Sequence, residues 1–316
     1  MSSRRTMIIA ALAVAAITAA AVGAFRLFLA PATEQVSPVV EVLADAGAVA
    51  QPDEEAPEEA RVVAIEGKVE RAIRGGPWEP LTVGQTLSAA ESLRTGAAAH
   101  ADLAIGADAK MTVAESSQLT VSELTRAVHR LRLTRGRLAV SYGRSGERVL
   151  RIEDESGSAV AETRGATFSV LSNGQALAVA TQTGTVNLTA ADTGVTVGAG
   201  QQSTAFAGLP PSAAEPIPTQ VLLKLAASGK RAQCAEIAGT ASRAAEVRVD
   251  GERVPLSADG TFRVAVAARP GLSAVRVSTR DVEGRTREEL VKCRVPQAPT
   301  ADVDDLRIDF KGANGG

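Results

Sequence analysis

From Arg61 onward, apolar and polar positions alternate in short runs. Ala101, Leu103 and Ile105 are interleaved with Asp102 and Ala104, and Leu119 and Val121 flank Thr120. Leu131 and Leu133 alternate with Arg130, Arg132 and Thr134, and Leu138, Val140 and Tyr142 keep the same spacing. Further along come Thr167-Phe168-Ser169-Val170, Leu177-Ala178-Val179, Thr185-Val186-Asn187-Leu188 and Val195-Thr196-Val197. Turn-forming groups separate the runs, as at Gly75-Gly76-Pro77, Ser172-Asn173-Gly174 and Asp192-Thr193-Gly194. A period of two puts successive side chains on opposite faces of a strand, so residues 61–207 are predicted to form an all-β domain. Periodicity does not choose between a sandwich, a barrel and a stacked β-roll.

A Pro-rich stretch over 208–230 reads as a hinge, with Leu209-Pro210-Pro211 and Pro216-Ile217-Pro218 breaking regular structure; Val221–Leu225 is an apolar piece of undetermined type. A second domain is predicted over 231–296. Val247 and Val249 end at Asp250-Gly251, a dipeptide favoured in tight hairpins, and Phe262, Val264 and Val266 share one face. Val275 and Val277 follow, then a turn at Asp281–Gly284 before Leu290-Val291. About six strands in that length make a small sandwich. The polar tail, 297–316, reads as disordered, and within it Leu306–Phe310 has the pattern of a short strand able to join a partner's sheet edge.

The N-terminus bears on compartment. Met7 to Phe25 contains no charge, and its nineteen residues would span roughly 28 Å as a helix, close to the hydrocarbon thickness of a bilayer. Arg4 and Arg5 precede it, so residues 1–6 are expected in the cytoplasm and the rest exported. Leu27, Phe28 and Leu29 extend the run to give a segment over 7–29, read either as an inner-membrane anchor or as a signal cleaved near Val22-Gly23-Ala24. Residues 30–60 carry Pro31, Pro38, Pro52 and Pro57 and end in the acids Asp53, Glu54, Glu55, Glu58 and Glu59, which reads as a disordered tether.

Composition narrows the function. A net charge of −2 and an isoelectric point near 5.9 give no basic excess for nucleic acid. Aromatics are 3 % of residues, with Trp78 and Tyr142 the sole Trp and Tyr, few for stacking bases or sugar rings. Two histidines and two cysteines are too few for a structural zinc site, and no cofactor is expected. Cys234 and Cys293 bracket the second domain. In an oxidising compartment they read as a staple, worth roughly 4 kcal/mol in the chain-entropy model. No nucleophile elbow, phosphate loop or dinucleotide fingerprint is present, so an enzyme is not expected.

One charge feature stands out. Arg126, Arg130, Arg132, Arg135, Arg137, Arg144, Arg148 and Arg151 lie close together against one acid, Glu147. Arg130 and Arg132 share the strand face opposite Leu131 and Leu133. This is either an ordinary solvated face or a patch for an anionic envelope polymer or an acidic protein, which the acidic tether at Asp53–Glu59 could occupy in cis. His129 has the parity of Leu131 and is expected in the core, and His100 at the start of a strand.

Residues Ile65 to Phe206 resemble the FecR domain. The resemblance rests on Glu66-Gly67-Lys68-Val69, Trp78-Glu79-Pro80-Leu81, Gly84-Gln85-Thr86-Leu87 and Leu93-Arg94-Thr95-Gly96, followed by the run Ala101–Val113. Thr163-Arg164-Gly165-Ala166-Thr167-Phe168-Ser169-Val170 matches an Arg-Gly-Thr-x-Phe-x-Val pattern with Ala166 at the usual Thr, and Gly184-Thr185-Val186 and Gly200-Gln201-Gln202 complete it. In structural terms Trp78 and Phe168 are expected as large core plugs, and Arg164 as a group paired or capped internally. The second domain resembles bacterial immunoglobulin-like modules through its Asp281-Val282-Glu283-Gly284 turn.

The resemblance implies non-catalytic envelope signalling, in which family members sense an outer-membrane receptor and control a sigma factor through a cytoplasmic N-terminal region. Met1–Thr6 is too short for that region, which departs from the pattern and argues against direct sigma-factor binding. The expected protein is a membrane-tethered periplasmic FecR-like module that binds another envelope component. The rival is a passive adaptor holding a cell-wall polymer or protein complex.

Overall fold

The computed structural model describes residues 57–144, 147–226, 236–243, 245–267 and 273–293. The expected membrane segment, most of the tether, Cys234 and the C-terminal tail lie outside them. Among the described residues no helix is long and apolar enough to cross a membrane. The described secondary structure is all strand, as the alternation predicts.

The first domain contains β1 (Ala60–Glu66), β2 (Val69–Ile73), β3 (Glu79–Pro80), β4 (Thr86–Leu87), β5 (Glu91–Thr95), β6 (His100–Ile105), β7 (Ala109–Val113) and β8 (Gln118–Leu124). There follow β9 (Val128–Tyr142), β10 (Val149–Glu153), β11 (Ala159–Thr163), β12 (Ala166–Ser172), β13 (Ala176–Ala190), β14 (Thr193–Gly198), β15 (Gln201–Phe206) and β16 (Glu215–Pro216). They form a 16-stranded network that divides into two sheets. One sheet runs β16-β15-β13-β12-β9-β7-β6-β1-β4, and the other β3-β2-β5-β8-β9-β10-β11-β13-β14.

Two strands of 15 residues, β9 and β13, belong to both sheets. Residues 128–135 of β9 pair with β8 in antiparallel and with β10 in parallel, while 136–142 pair with β12 and β7. The first half of β13 pairs with β12 and β15, and Thr185–Ala190 with β11 and β14. The separate runs at Leu131–Leu133 and Leu138–Tyr142 are thus one bent strand, as are those at Leu177–Val179 and Thr185–Leu188. Each bend falls at a glycine with positive φ, Gly136 (94°) and Gly184 (78°). A Cβ on Gly136 would stand 2.1 Å from Ser117 Oγ, and one on Gly184 would stand 2.4 Å from the Gly165 carbonyl oxygen. Glycine is needed here for both backbone angle and space.

The core between the sheets is aliphatic, with Leu87, Leu93, Leu103, Ile105, Leu119, Leu131, Leu133, Leu138, Leu150 and Ile152 fully buried. Phe168 is the large plug the sequence predicts, at 1 % exposure. Trp78 is not a plug: it lies half-buried at the surface, with the Arg94 guanidinium 4.3 Å from its ring centroid. The reason is its place just before the two-residue edge strand β3, outside the layered interior.

The second domain comprises β17 (Leu223–Leu225), β18 (Glu236–Ala241), β19 (Glu246–Val249), β20 (Glu252–Val254), β21 (Thr261–Ala265), β22 (Ala274–Arg280) and β23 (Thr286–Lys292). A three-stranded sheet, β17-β18-β21, and a four-stranded sheet, β20-β19-β22-β23, enclose a core of Leu223, Ile237, Val247, Leu256, Phe262, Val275 and Val277. The Asp250-Gly251 hairpin forms as the dipeptide predicts, with φ of 50° and 87° and Val249 opposite Glu252. The apolar piece at Val221–Leu225 supplies strand β17.

Replacing Gly136 with Ala is expected to destabilise the first domain by about 3 kcal/mol or more, because a left-handed angle and a backbone clash act together. Urea denaturation checks this, with a lower midpoint at unchanged slope as the expected outcome.

Candidate functional site

The outer face of the second sheet carries the arginine cluster, and register decides what each arginine meets. Arg130 lies opposite Glu123 on β8 and next to Arg151 on β10, and Arg132 lies opposite Glu153. Arg130 stands 3.6 Å from Glu123 and 3.5 Å from Glu153, Arg132 stands 3.5 Å from Glu153, and Arg151 pairs with Glu162 at 2.7 Å. Cross-strand pairs of opposite charge hold such a ladder in register. Arg126, Arg135 and Arg144 are exposed and meet no carboxylate among the described residues. They sit at the ends and the bend of β9, so the eight arginines form no single patch.

Arg148 belongs to a different group, at the point where the acidic tether meets the domain. Pro57 bridges to Thr125, and the Glu58 amide donates to the Leu124 carbonyl. The Glu58 carboxylate accepts from Arg148 at 3.2 Å and from His129 Nε2 at 2.9 Å. His129 is fully buried, as its parity with Leu131 predicts, and its Nδ1 faces the Tyr142 hydroxyl at 3.4 Å. These partners define a neutral tautomer: Nε2–H donates to Glu58, and Nδ1 accepts from Tyr142. Burial lowers the His129 pKa, helped by Arg148 and opposed by Glu58, and burial raises that of Tyr142.

A third cluster joins the two domains. The turn at Asp281–Gly284 is closed by internal hydrogen bonds, with the Gly284 amide donating to the Asp281 carbonyl and Arg285 bonded to the Asp281 carboxylate at 2.7 Å. Val282 at its tip is 1 % exposed and packs with Leu171, Ala178, Ala180 and Ile217. Beside it Arg280 hydrogen-bonds Glu115, and Arg253 donates to the Ser116 carbonyl. Burial alone would raise the Glu115 pKa. Hydrogen bonds from Arg280 and the Ala98 amide outweigh it and hold the carboxyl below the usual range. Arg137 lies under Gly284 in this contact, so it is a junction residue. The Pro-rich segment is packed here too, through Ile217 and through Glu215, which accepts from Gln202 at 3.0 Å.

The junction was missed at the level of sequence, though Ala176-Leu177-Ala178-Val179-Ala180 carries a sign of it. An unbroken apolar run marks a strand covered on both faces. Leu177 and Val179 line the first core, and Ala178 and Ala180 meet Val282. Of the motif residues, Ala166 and Phe168 are buried, Thr167 is half-buried and Gly165 packs against Arg144. Arg164, expected to pair internally, is exposed and has no bonded partner among the described residues. Thr163 instead makes the internal bond, donating to the Thr185 carbonyl at 2.7 Å. His100 opens β6 and meets Glu66 at 3.4 Å. Among the described residues no group of three or more His, Cys, Asp or Glu side chains could hold a metal ion. The expected pairing of Cys293 with Cys234 falls outside the described residues.

These features define a class: a two-domain β scaffold whose polar groups go mainly into register, a pinned tether and a domain junction. Residues 91–187 match the family model described as FecR protein, so this chain carries a FecR domain, running from β5 into the second half of β13. Two crystal structures of a candidate anti-sigma factor from Parabacteroides distasonis are similar in part. They are 13 % and 12 % identical, each overlap covers 41 % of this chain and 61 % of the other, and the TM-score is 0.36. A search of curated proteins returned no match.

Two outcomes are expected. Because the folded pKa of His129 lies below its ordinary value of about 6.5, the unfolded chain binds a proton that the folded chain refuses. This stability is complete above about pH 6.5 and declines as pH falls toward the lowered value. Thermal unfolding of wild type and His129→Gln from about pH 8 to 5 should show their difference shrinking as pH drops. Separately, Glu115→Ala should cost about 1–3 kcal/mol at the junction and split one calorimetric transition into two; an unchanged trace would show that the junction does not couple the domains.

Proposed function

We propose that this chain is a membrane-tethered periplasmic FecR-type protein that binds another envelope component in signalling or regulation, without catalysis. The observation that carries the reading is the FecR match over residues 91–187, together with an all-β scaffold and an N-terminal apolar segment of membrane length. The anti-sigma-factor description of the P. distasonis protein agrees with a regulatory role but does not carry it. In this reading the first domain binds the partner, the second is an immunoglobulin-like spacer closed by a Cys234–Cys293 disulfide, and residues 7–29 anchor the chain in the inner membrane.

The cations available to an acidic protein or an anionic envelope polymer are Arg126, Arg135 and Arg144, since Glu123, Glu153 and Glu162 neutralise much of the ladder. One observation favours the rival, a passive adaptor: the domains contact each other through Val282 and through the Arg280–Glu115 pair. A fixed geometry suits a spacer that holds components at a set separation.

In-cell cross-linking followed by capture through a C-terminal tag tests both readings. Recovery of an outer-membrane receptor or an inner-membrane regulator supports signalling, whereas cell-wall fragments or a stoichiometric structural complex support the adaptor. The triple change Arg126→Glu, Arg135→Glu, Arg144→Glu is expected to reduce capture several-fold at low salt and to have little effect at high salt. Undiminished capture at low salt would remove these arginines from the binding surface.

A further inference from the structure

Among the described residues, strand β14 is a sheet edge with no second strand beside it. It pairs with β13 along its full length, from Thr193 opposite Ala190 to Gly198 opposite Thr185. On its other side, no hydrogen bond links Gly194–Val197 to any described residue; the neighbouring Gly198 amide is capped by Gln201 Oε1 at 2.9 Å. A free row of amides and carbonyls is a template for another strand, and proteins commonly blunt such edges with charge, proline or brevity.

The other described strands with one partner follow that rule. β3 and β16 are Glu-Pro pairs, β4 has two residues, and β17 has three with Lys224 at the centre. β20 carries Glu252 and Arg253, β21 carries Arg263, and β23 carries Arg287, Glu288, Glu289 and Lys292. Among the described residues, β14 alone is a single-partnered strand longer than three residues with neither charge nor proline.

Its sequence also indicates the occupant. Gly194-Val195-Thr196-Val197-Gly198 is a palindrome centred on Thr196. Val195 and Val197 lie opposite Leu188 and Val186, which are buried, so both valines are on the core side. Gly194, Thr196 and Gly198 lie opposite Thr189, Asn187 and Thr185 on the outer side, where neither β14 nor this half of β13 carries a charge. An antiparallel pairing about a two-fold axis through Thr196 keeps every residue on its proper face. It sets Val195 against Val197 twice, Thr196 against Thr196, and Gly194 against Gly198. Facing threonines can hydrogen-bond across strands, and facing β-branched valines pack on the core side. Asp192, the nearest charge along the chain, falls opposite Gly200, so no like charges meet.

We propose that two copies of this chain associate through β14, joining their second sheets into one continuous sheet about a two-fold axis at Thr196. The interface is isologous, so each copy uses the only such edge among its described residues and the assembly closes at two. It uses neither the arginines nor the partner invoked above, and stands whether or not that binding reading holds.

The test measures the mass of the full chain, solubilised in a mild detergent, by sedimentation with the detergent contribution subtracted. Wild type is expected at two chains. Thr196→Lys and Thr196→Glu each place like charges face to face on the axis and should halve the mass. An equimolar mixture of the two variants should return to two chains, because opposite charges then meet, and this also shows that both variants fold. A wild type found as single chains at the highest attainable concentration overturns the proposal. So does a pair that persists in both variants, which would place association elsewhere, such as in the N-terminal apolar segment.

Discussion

The passage of β9 and β13 from one sheet to the other is the constraint on which the first domain depends. Each strand must bend sharply without losing hydrogen-bond partners on either flank, and each does so at a glycine where a Cβ would collide with facing atoms. The bends tie two sheets into one network and close a single core from short aliphatic side chains, with Phe168 as the main aromatic filler. A protein with so few aromatic residues has little bulk with which to fill gaps. Close layering of Ala, Val, Leu and Ile takes that role, and it requires the layers to be brought together at defined corners.

Charge is handled with the same economy. Glu58 joins the buried His129 to Arg148 and so fixes the end of the tether against the domain, while Glu115 and Arg280 fix the second domain against the first. Both contacts pair an acid with a base in partly buried surroundings. Either partner left alone would be costly, and the pair orients the segment that carries it. The Val282 plug adds apolar contact beside the second of these pairs. The FecR domain is thus held at Glu58 at its N-terminal end and contacts the second domain through Glu115, Arg280 and Val282.

Much of the strand content was legible from alternation, because a strand half-buried in a sheet must repeat with period two. The bend in β9 also left a trace: buried positions are odd-numbered through Leu133 and even-numbered from Gly136, a slip in phase just before the glycine. The cross-strand pairing of the arginines was not legible. Residues 123, 130, 151 and 162 line up across four strands through register and through a parallel crossover, neither of which local sequence contains. The same holds for Trp78, whose aromatic character indicates burial while its place beside an edge strand puts it at the surface under Arg94. Arg137 reads as one more member of a basic run, and only the docking of a distant turn makes it a junction residue.

By itself, then, the sequence determined the all-β class, the Asp250-Gly251 hairpin, the burial of His129 and Phe168, and the FecR character of the central region. These follow from local steric preference, periodicity and motif order, each acting over a few residues. Tertiary structure decided which arginines are neutralised, what Glu58 meets, how the two domains meet and which described edge strand lacks charge and proline. Those outcomes depend on contacts between residues far apart in the chain, whose free energies arise only once the sheets have closed and water has left the surfaces between them.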